Sequence, residues 1–340
     1  MSTFNILSID GGGLRGIIPL RILQKIEELT GKRIQDCFDL VSGTSTGGLI
    51  ACCLTLRNEQ KPQEPKYSLS EISSIYVQKG SVIFPLRSVI GKFLRQASNF
   101  INPEFSTRGI DSVLREYVTD QKIKDSLLPI IVSTYDLSSN NPVFFKTSEA
   151  TEDESTNAAI YDVCRATSAA PTYLPAYSFN YKGSRLTGID GGVYVNNPTM
   201  AAIAEISRYG LKGFYRKKDG TPIAFEDVRV LSLGTGSFTG KITEVDAVSW
   251  GQLQWIRRIT DVMMRGVNQS TDYETREMLD IENHPNRYLR LTIDITNERY
   301  ADMADASEAT RNYLEQEVVS QVTNNVHKLD LLKQFLSAAC

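Results

Sequence analysis

Residues 38–56 read FDLVSGTSTGGLIACCLTL. A short apolar run closes on small residues, and a second apolar run of helical length follows. Between them, Gly43-Thr44-Ser45-Thr46-Gly47 has the form G-x-S-x-G. After a buried strand and before a helix, that form is a nucleophile elbow. The turn is so sharp that only small residues beside the serine let the two backbones pass. It lifts the hydroxyl clear of the sheet, and the helix that follows offers its positive end to developing negative charge. The competing reading of Ser45 is a purely structural small-residue turn.

The same arrangement occurs upstream. Phe4 to Ile9 is an apolar run closed by Asp10-Gly11-Gly12-Gly13-Leu14-Arg15-Gly16. Ile18, Ile22, Leu23, Ile26 and Leu29 then share one helical face. Pro19 belongs in a first turn, so this helix starts near Gly16, and Gly31 suits its C-terminal stop. Strand, glycine turn and helix, repeated, predict an α/β fold with a mostly parallel sheet. Further strands are expected at 128–134, 143–146, 186–189, 228–233 and 288–293. Further helices are expected at 110–118, 200–209, 253–267 and 308–336, the last opened by a capping box from Asp305 to Glu308. Residues 57–68 read as a surface loop. No linker divides the chain, so one large domain is expected: a core over 1–240 and a helical extension over 241–340.

Three glycines at a helix N-terminus leave backbone amides uncovered, which makes an anion site. Gly11, Gly13 and Gly16 also satisfy G-x-G-x-x-G, the dinucleotide fingerprint of an oxidoreductase. That fingerprint wants an acid at the end of the second strand. Here the second strand ends in Ser42-Gly43-Thr44-Ser45. Adjacent parallel strands end on one edge, so both glycine turns should face one site. An oxyanion hole built from Gly11, Gly12 and Gly13 beside Ser45 is the favoured reading. Asp10 is expected to orient or cap that turn.

A serine nucleophile needs a base. The chain has two histidines, His284 in a polar loop and His327 inside a helical pattern, and neither carries a motif. Asp190 ends the 186–189 run and is followed by Gly191 and Gly192, which let backbone and ligand approach closely. A Ser45–Asp190 dyad is therefore preferred over a triad through His284.

Composition narrows the partners. Lys and Arg number 37 against 40 Asp and Glu, a net charge of −3, which argues against nucleic acid. No apolar run approaches the roughly 20 residues of a membrane span. The N-terminus runs straight into a strand pattern without a basic leader, which suits a cytoplasmic protein. Five cysteines without a CxxC pattern read as reduced thiols rather than a disulfide framework. No carboxylate cluster has metal-loop spacing, and no cofactor is expected. Residues 81–102 are apolar, aromatic and carry only basic charges. They are either a core-packed helix or a segment covering a lipid site or touching a membrane surface.

DGGGLRG at 10–16, GTSTGG at 43–48 and DGGVYVNNP at 190–198, in that order, resemble the patatin-like phospholipase family. ATSAAPTYLP at 166–175 and VLSLGTG at 230–236 add to the likeness. It covers about residues 5–236. The resemblance implies a three-layer α/β/α fold and hydrolysis of phospholipid or other lipid acyl esters without a metal. It makes Ser45 the nucleophile, Asp190 the base and Gly11–Gly13 the oxyanion donors, supported by Arg15, Gly16, Gly43, Gly47, Gly191 and Gly192. Acyl transfer by the same dyad stays open, as do oligomeric state and a nucleotide-type activator of the kind some relatives use. Contact with a membrane periphery during turnover is the corresponding expectation.

Overall fold

The computed structural model describes residues 3–83, 105–210, 213–279 and 286–340. The segment expected to cover a lipid site therefore lies outside the described residues beyond Ile83, and so does His284.

Apart from a short parallel pair, Ser237–Phe238 with Asp294–Ile295, the strands are β1 (Phe4–Ile9), β2 (Leu40–Thr44), β3 (Ile130–Asp136), β4 (Asn141–Lys146), β5 (Tyr177–Tyr181), β6 (Ser184–Asp190), β7 (Val228–Leu233) and β8 (Tyr288–Leu291). They form one sheet in the order β5-β6-β3-β2-β1-β7-β8, with β4 also on β3. The pairs from β3 through β2, β1 and β7 to β8 are parallel. The pairs β3–β4, β3–β6 and β5–β6 are antiparallel.

The central strands are buried on both faces, as parallel strands between helical layers must be. Alternate residues go to opposite sides. Leu7, Ile9, Val41, Leu231 and Leu233 join one core, and Phe4, Ile6, Leu40, Val228 and Val230 join another. The first core is covered by α1 (Ile17–Thr30), α2 (Ile34–Cys37), α3 (Thr46–Thr55) and the C-terminal helices α9 (Glu308–Val318) and α10 (Val326–Ala339). The second is covered by α7 (Thr199–Glu205) and by Leu279 at the end of α8 (Gln252–Leu279). A third cluster packs α5 (Arg108–Tyr117) and α6 (Ile160–Thr167) onto β3 and β6. This is an α/β/α sandwich.

Some expectations need correction. The predicted 308–336 helix is two helices, separated by a wide turn at Val319–Thr323. Its N-cap is Ser307, whose hydroxyl accepts the Thr310 amide at 3.2 Å, while Asp305 accepts the Thr310 hydroxyl at 2.6 Å. The helix α4 (Leu69–Ile83) has no clear apolar stripe in its serine-rich sequence; packing on α1 and α5 stabilises it. The cysteines are not all thiols: Cys37 and Cys340, 303 residues apart, form a disulfide, and Cys52, Cys53 and Cys164 are free. A count of cysteines cannot see that α10 folds back onto α2. The cysteine argument for a reducing compartment therefore fails. Among the described residues, no helix is long and apolar enough to cross a membrane.

Candidate active site

Ser45 sits between the end of β2 and the start of α3 with φ 53° and ψ −122°. Such a conformation costs a non-glycine residue about 1–3 kcal/mol and persists only where neighbours enforce it. The Ser45 amide donates to Thr167 Oγ1 at 2.9 Å, and the Thr44 hydroxyl donates to the Val195 carbonyl at 2.7 Å. The flanking glycines are required by close approach. A Cβ on Gly43 would lie 2.2 Å from the Gly47 carbonyl oxygen, and one on Gly47 would lie 2.1 Å from that of Ile9.

Asp190 reaches the same edge by an indirect route. β6 runs antiparallel to β3, so a full-length pairing would carry its end to the wrong side of the sheet. β2 pairs with β3 only as far as Ser133, and β6 pairs with the overhang from Thr134 to Asp136. Asp190 thus lands opposite Thr134, one step beyond the register of Thr44. Its amide donates to the Ala169 carbonyl at 3.0 Å. The Gly192 amide donates to Asp190 Oδ1 at 2.7 Å, and Ser45 lines the same cavity as Asp190. Burial pushes the Asp190 carboxyl up to about 6, against the lowering by the Ser45 side chain and the Gly192 amide.

The glycine turn differs from expectation in one donor. The Gly11 amide already donates to the Asn196 carbonyl at 3.0 Å, and the Gly11 carbonyl accepts the Thr235 hydroxyl at 2.5 Å. Among the described residues, Gly12 and Gly13 keep amides with no internal acceptor, and both line the cavity that holds Ser45 and Asp190. The Leu14 amide is taken by the Met303 carbonyl at 2.9 Å. Arg15 is buried, is not among the residues lining the cavity, and leaves its Nε without a partner. Burial lowers its guanidinium pKa. A Cβ on Gly16 would meet Thr46 Oγ1 at 2.5 Å, and one on Gly191 would meet Ser133 Oγ at 2.2 Å. Asp10 does not cap the turn. Its carboxylate pairs with Arg290 of β8 at 2.5 Å in a buried bridge, and Arg290 Nη1 also donates to Ser232 Oγ at 2.6 Å.

Both additional motifs thereby acquire a physical task. Thr167 and Ala169 hold the backbones of Ser45 and Asp190 at once, and Ser232 and Thr235 hold the glycine turn through Arg290 and Gly11. Arg290 carries no local signal of its own, because it acts through a partner far away in the chain; Asn196 lies in the 190–198 motif, but its hold on Gly11 is not readable from that motif.

The site opens into a cavity of about 290 Å³. Its walls are apolar, with Leu49, Ile75, Tyr76, Ile110, Leu114 and Leu174 among them, and Met263, Met264 and Met303 come from the C-terminal third. Cys53 also lines it, but burial lifts that thiol to about 12, so it offers no competing thiolate. Among the described residues, no group of three or more His, Cys, Asp or Glu is placed to hold a metal ion.

Ser45 and the buried Asp190 carboxylate line this apolar cavity together with Gly12 and Gly13. The family model for patatin-like phospholipases matches residues 7–203. The chain belongs to that family. Patatin-like protein 3 of Arabidopsis thaliana is 30% identical over 97% of this chain and 87% of its own length. Patatin group J-1 of Solanum tuberosum is 31% identical, covering 92% and 81%. These alignments continue past residue 240, so this patatin-like chain shares its C-terminal third with its relatives. VipD of Legionella pneumophila is a solved structure covering 94% of this chain and 67% of its own, at 14% identity and a TM-score of 0.37, which carries no weight. At family level, membership supports lipid ester hydrolysis.

Proposed function

We propose that this patatin-like protein is a serine-dependent lipid acyl hydrolase working through Ser45 and Asp190. The observation that carries the reading is that Ser45, at the strained tip of its turn, and the buried Asp190 carboxylate line one apolar cavity beside the Gly12 and Gly13 amides. Asp190 accepts the Ser45 proton as Oγ attacks the acyl carbonyl. With its pKa raised to about 6, Asp190 is a stronger base than an ordinary carboxylate yet still ionised at neutral pH. The Gly12 and Gly13 amides donate to the oxyanion, and the start of α3 adds its positive end. The alcohol leaves with the proton held by Asp190. Water, deprotonated by Asp190, then cleaves the acyl-serine, and Oγ recovers its proton. The acyl chain lies along the apolar wall formed by α3, α4 and α5.

A dinucleotide role for the Gly11-Gly13-Gly16 turn has less support, because Gly11 spends its amide internally and the cavity is apolar.

The test is labelling by a fluorophosphonate, with mass spectrometry of products from phospholipid vesicles. Wild type should be labelled at Ser45 and release fatty acid, and Ser45→Ala should do neither. Comparable release by Ser45→Ala would refute the assignment. Acyl-alcohol products formed when an alcohol is added would mark acyl transfer by the same dyad.

A further inference from the structure

α8 is two-sided along its length. Its C-terminal half is anchored: Thr271, Thr275 and Leu279 are buried, and the helix packs on α7 and β8. Its N-terminal half turns apolar side chains outward. Trp255, Ile259, Val262 and Met263 are 36%, 41%, 42% and 53% exposed. Their spacing of four, three and one residues puts them on one stripe of the helix. Soluble surfaces scatter single exposed apolar residues, whereas a contiguous row marks an interaction face.

This row runs into the active-site cavity. Met263 is half-exposed and also lines the cavity with Ser45 and Asp190. Val193, just after Asp190, is likewise exposed and cavity-lining, and α8 packs against its Gly191–Val193 turn. An apolar face continuous with an apolar cavity gives a water-insoluble substrate an unbroken route. A protein partner seated there would cover that route instead. Trp255 adds a residue whose amphipathic ring suits a membrane–water interface.

We propose that the outer face of α8, carried by Trp255, Ile259, Val262 and Met263, docks on a phospholipid bilayer and sets the mouth of the Ser45 cavity against the lipid. The proposal rests on the hydrolase reading for its purpose, but its test does not.

The chain's two tryptophans, Trp250 and Trp255, lie together at this face with ring centroids 5.5 Å apart, so intrinsic fluorescence reports on it directly. Ser45→Ala protein, which leaves the lipid intact, is mixed with vesicles of phosphatidylcholine and phosphatidylglycerol. The emission should shift to the blue and be quenched by brominated acyl chains. Adding Ile259→Asp and Val262→Asp should weaken vesicle binding about tenfold or more. With Ser45 restored, the same pair should cut vesicle turnover in proportion and leave kcat/KM on a soluble short-chain ester unchanged.

Unmoved emission, or undiminished vesicle binding by the double variant, overturns the docking face while hydrolysis of the soluble ester still upholds the dyad. A dimer by light scattering that the double variant dissolves, with vesicle turnover unchanged, assigns the face to a second copy and also overturns it. Vesicle binding through the face, with no turnover of either substrate by wild type, upholds docking and refutes the hydrolase reading.

Discussion

Asp190→Asn is expected to abolish activity and stabilise the protein. Burial raises the carboxyl from its ordinary 3.8 to about 6, so ionising it costs more in the folded chain than in the unfolded one. That difference is about 3 kcal/mol at 1.36 kcal/mol per pKa unit. Asparagine keeps an oxygen for the Gly192 amide while removing the charge. For 340 residues, at about 2.1 cal/mol/K of unfolding entropy per residue, the gain is about 4 °C in Tm. The sign follows from proton binding. Between the unfolded and folded pKa values the native state holds the extra proton, so the wild type loses stability as pH rises through that window. The gap between variant and wild type should be full above about pH 7, shrink from pH 6 downward, and be nearly closed by pH 4. Calorimetry across that range, beside kcat falling about 10²–10⁴-fold, is the assay. A variant no more stable than wild type at pH 8, or a gap independent of pH, would refute the claim that Asp190 is held ionised against its burial.

Further consequences can be checked independently. The acid limb of kcat/KM on a soluble ester should fall with an apparent pKa near 6, because protonated Asp190 cannot accept the serine proton; a limb near pH 4 would point to a solvated carboxylate. Arg290→Met strands the buried Asp10 carboxylate and should cost about 3–5 kcal/mol by urea denaturation, a loss that Asp10→Asn added to it should largely relieve. Reducing Cys37–Cys340, which closes a loop of 303 residues, should lower stability by about 2–4 kcal/mol; equal urea midpoints with and without reductant would contradict it. Gly47→Ala drives a Cβ into the Ile9 carbonyl, where only backbone can yield, and should cost about 1–3 kcal/mol or more in stability as well as activity.

The chemistry was legible where it is local. G-x-S-x-G between two apolar runs specifies an elbow, because that turn tolerates nothing else at Gly43 and Gly47. The apolar runs 4–9 and 228–233 specify buried strands, and those boundaries match β1 and β7. Where the pattern was weak, tertiary packing decided. The serine-rich α4 and the break between α9 and α10 carry no clean period.

Sequence alone determined that this chain is an α/β protein of the patatin-like kind, because glycine turns, strand runs and motif order are properties of neighbours in the chain. Only the tertiary structure decided that Asp190 arrives on an antiparallel strand paired to the overhang of β3, that Gly11 has no amide to spare, and that Arg290 and Met303 complete the glycine turn. Each depends on strand register or on contacts more than a hundred residues apart. No local pattern encodes such distances; they are set by which faces bury together.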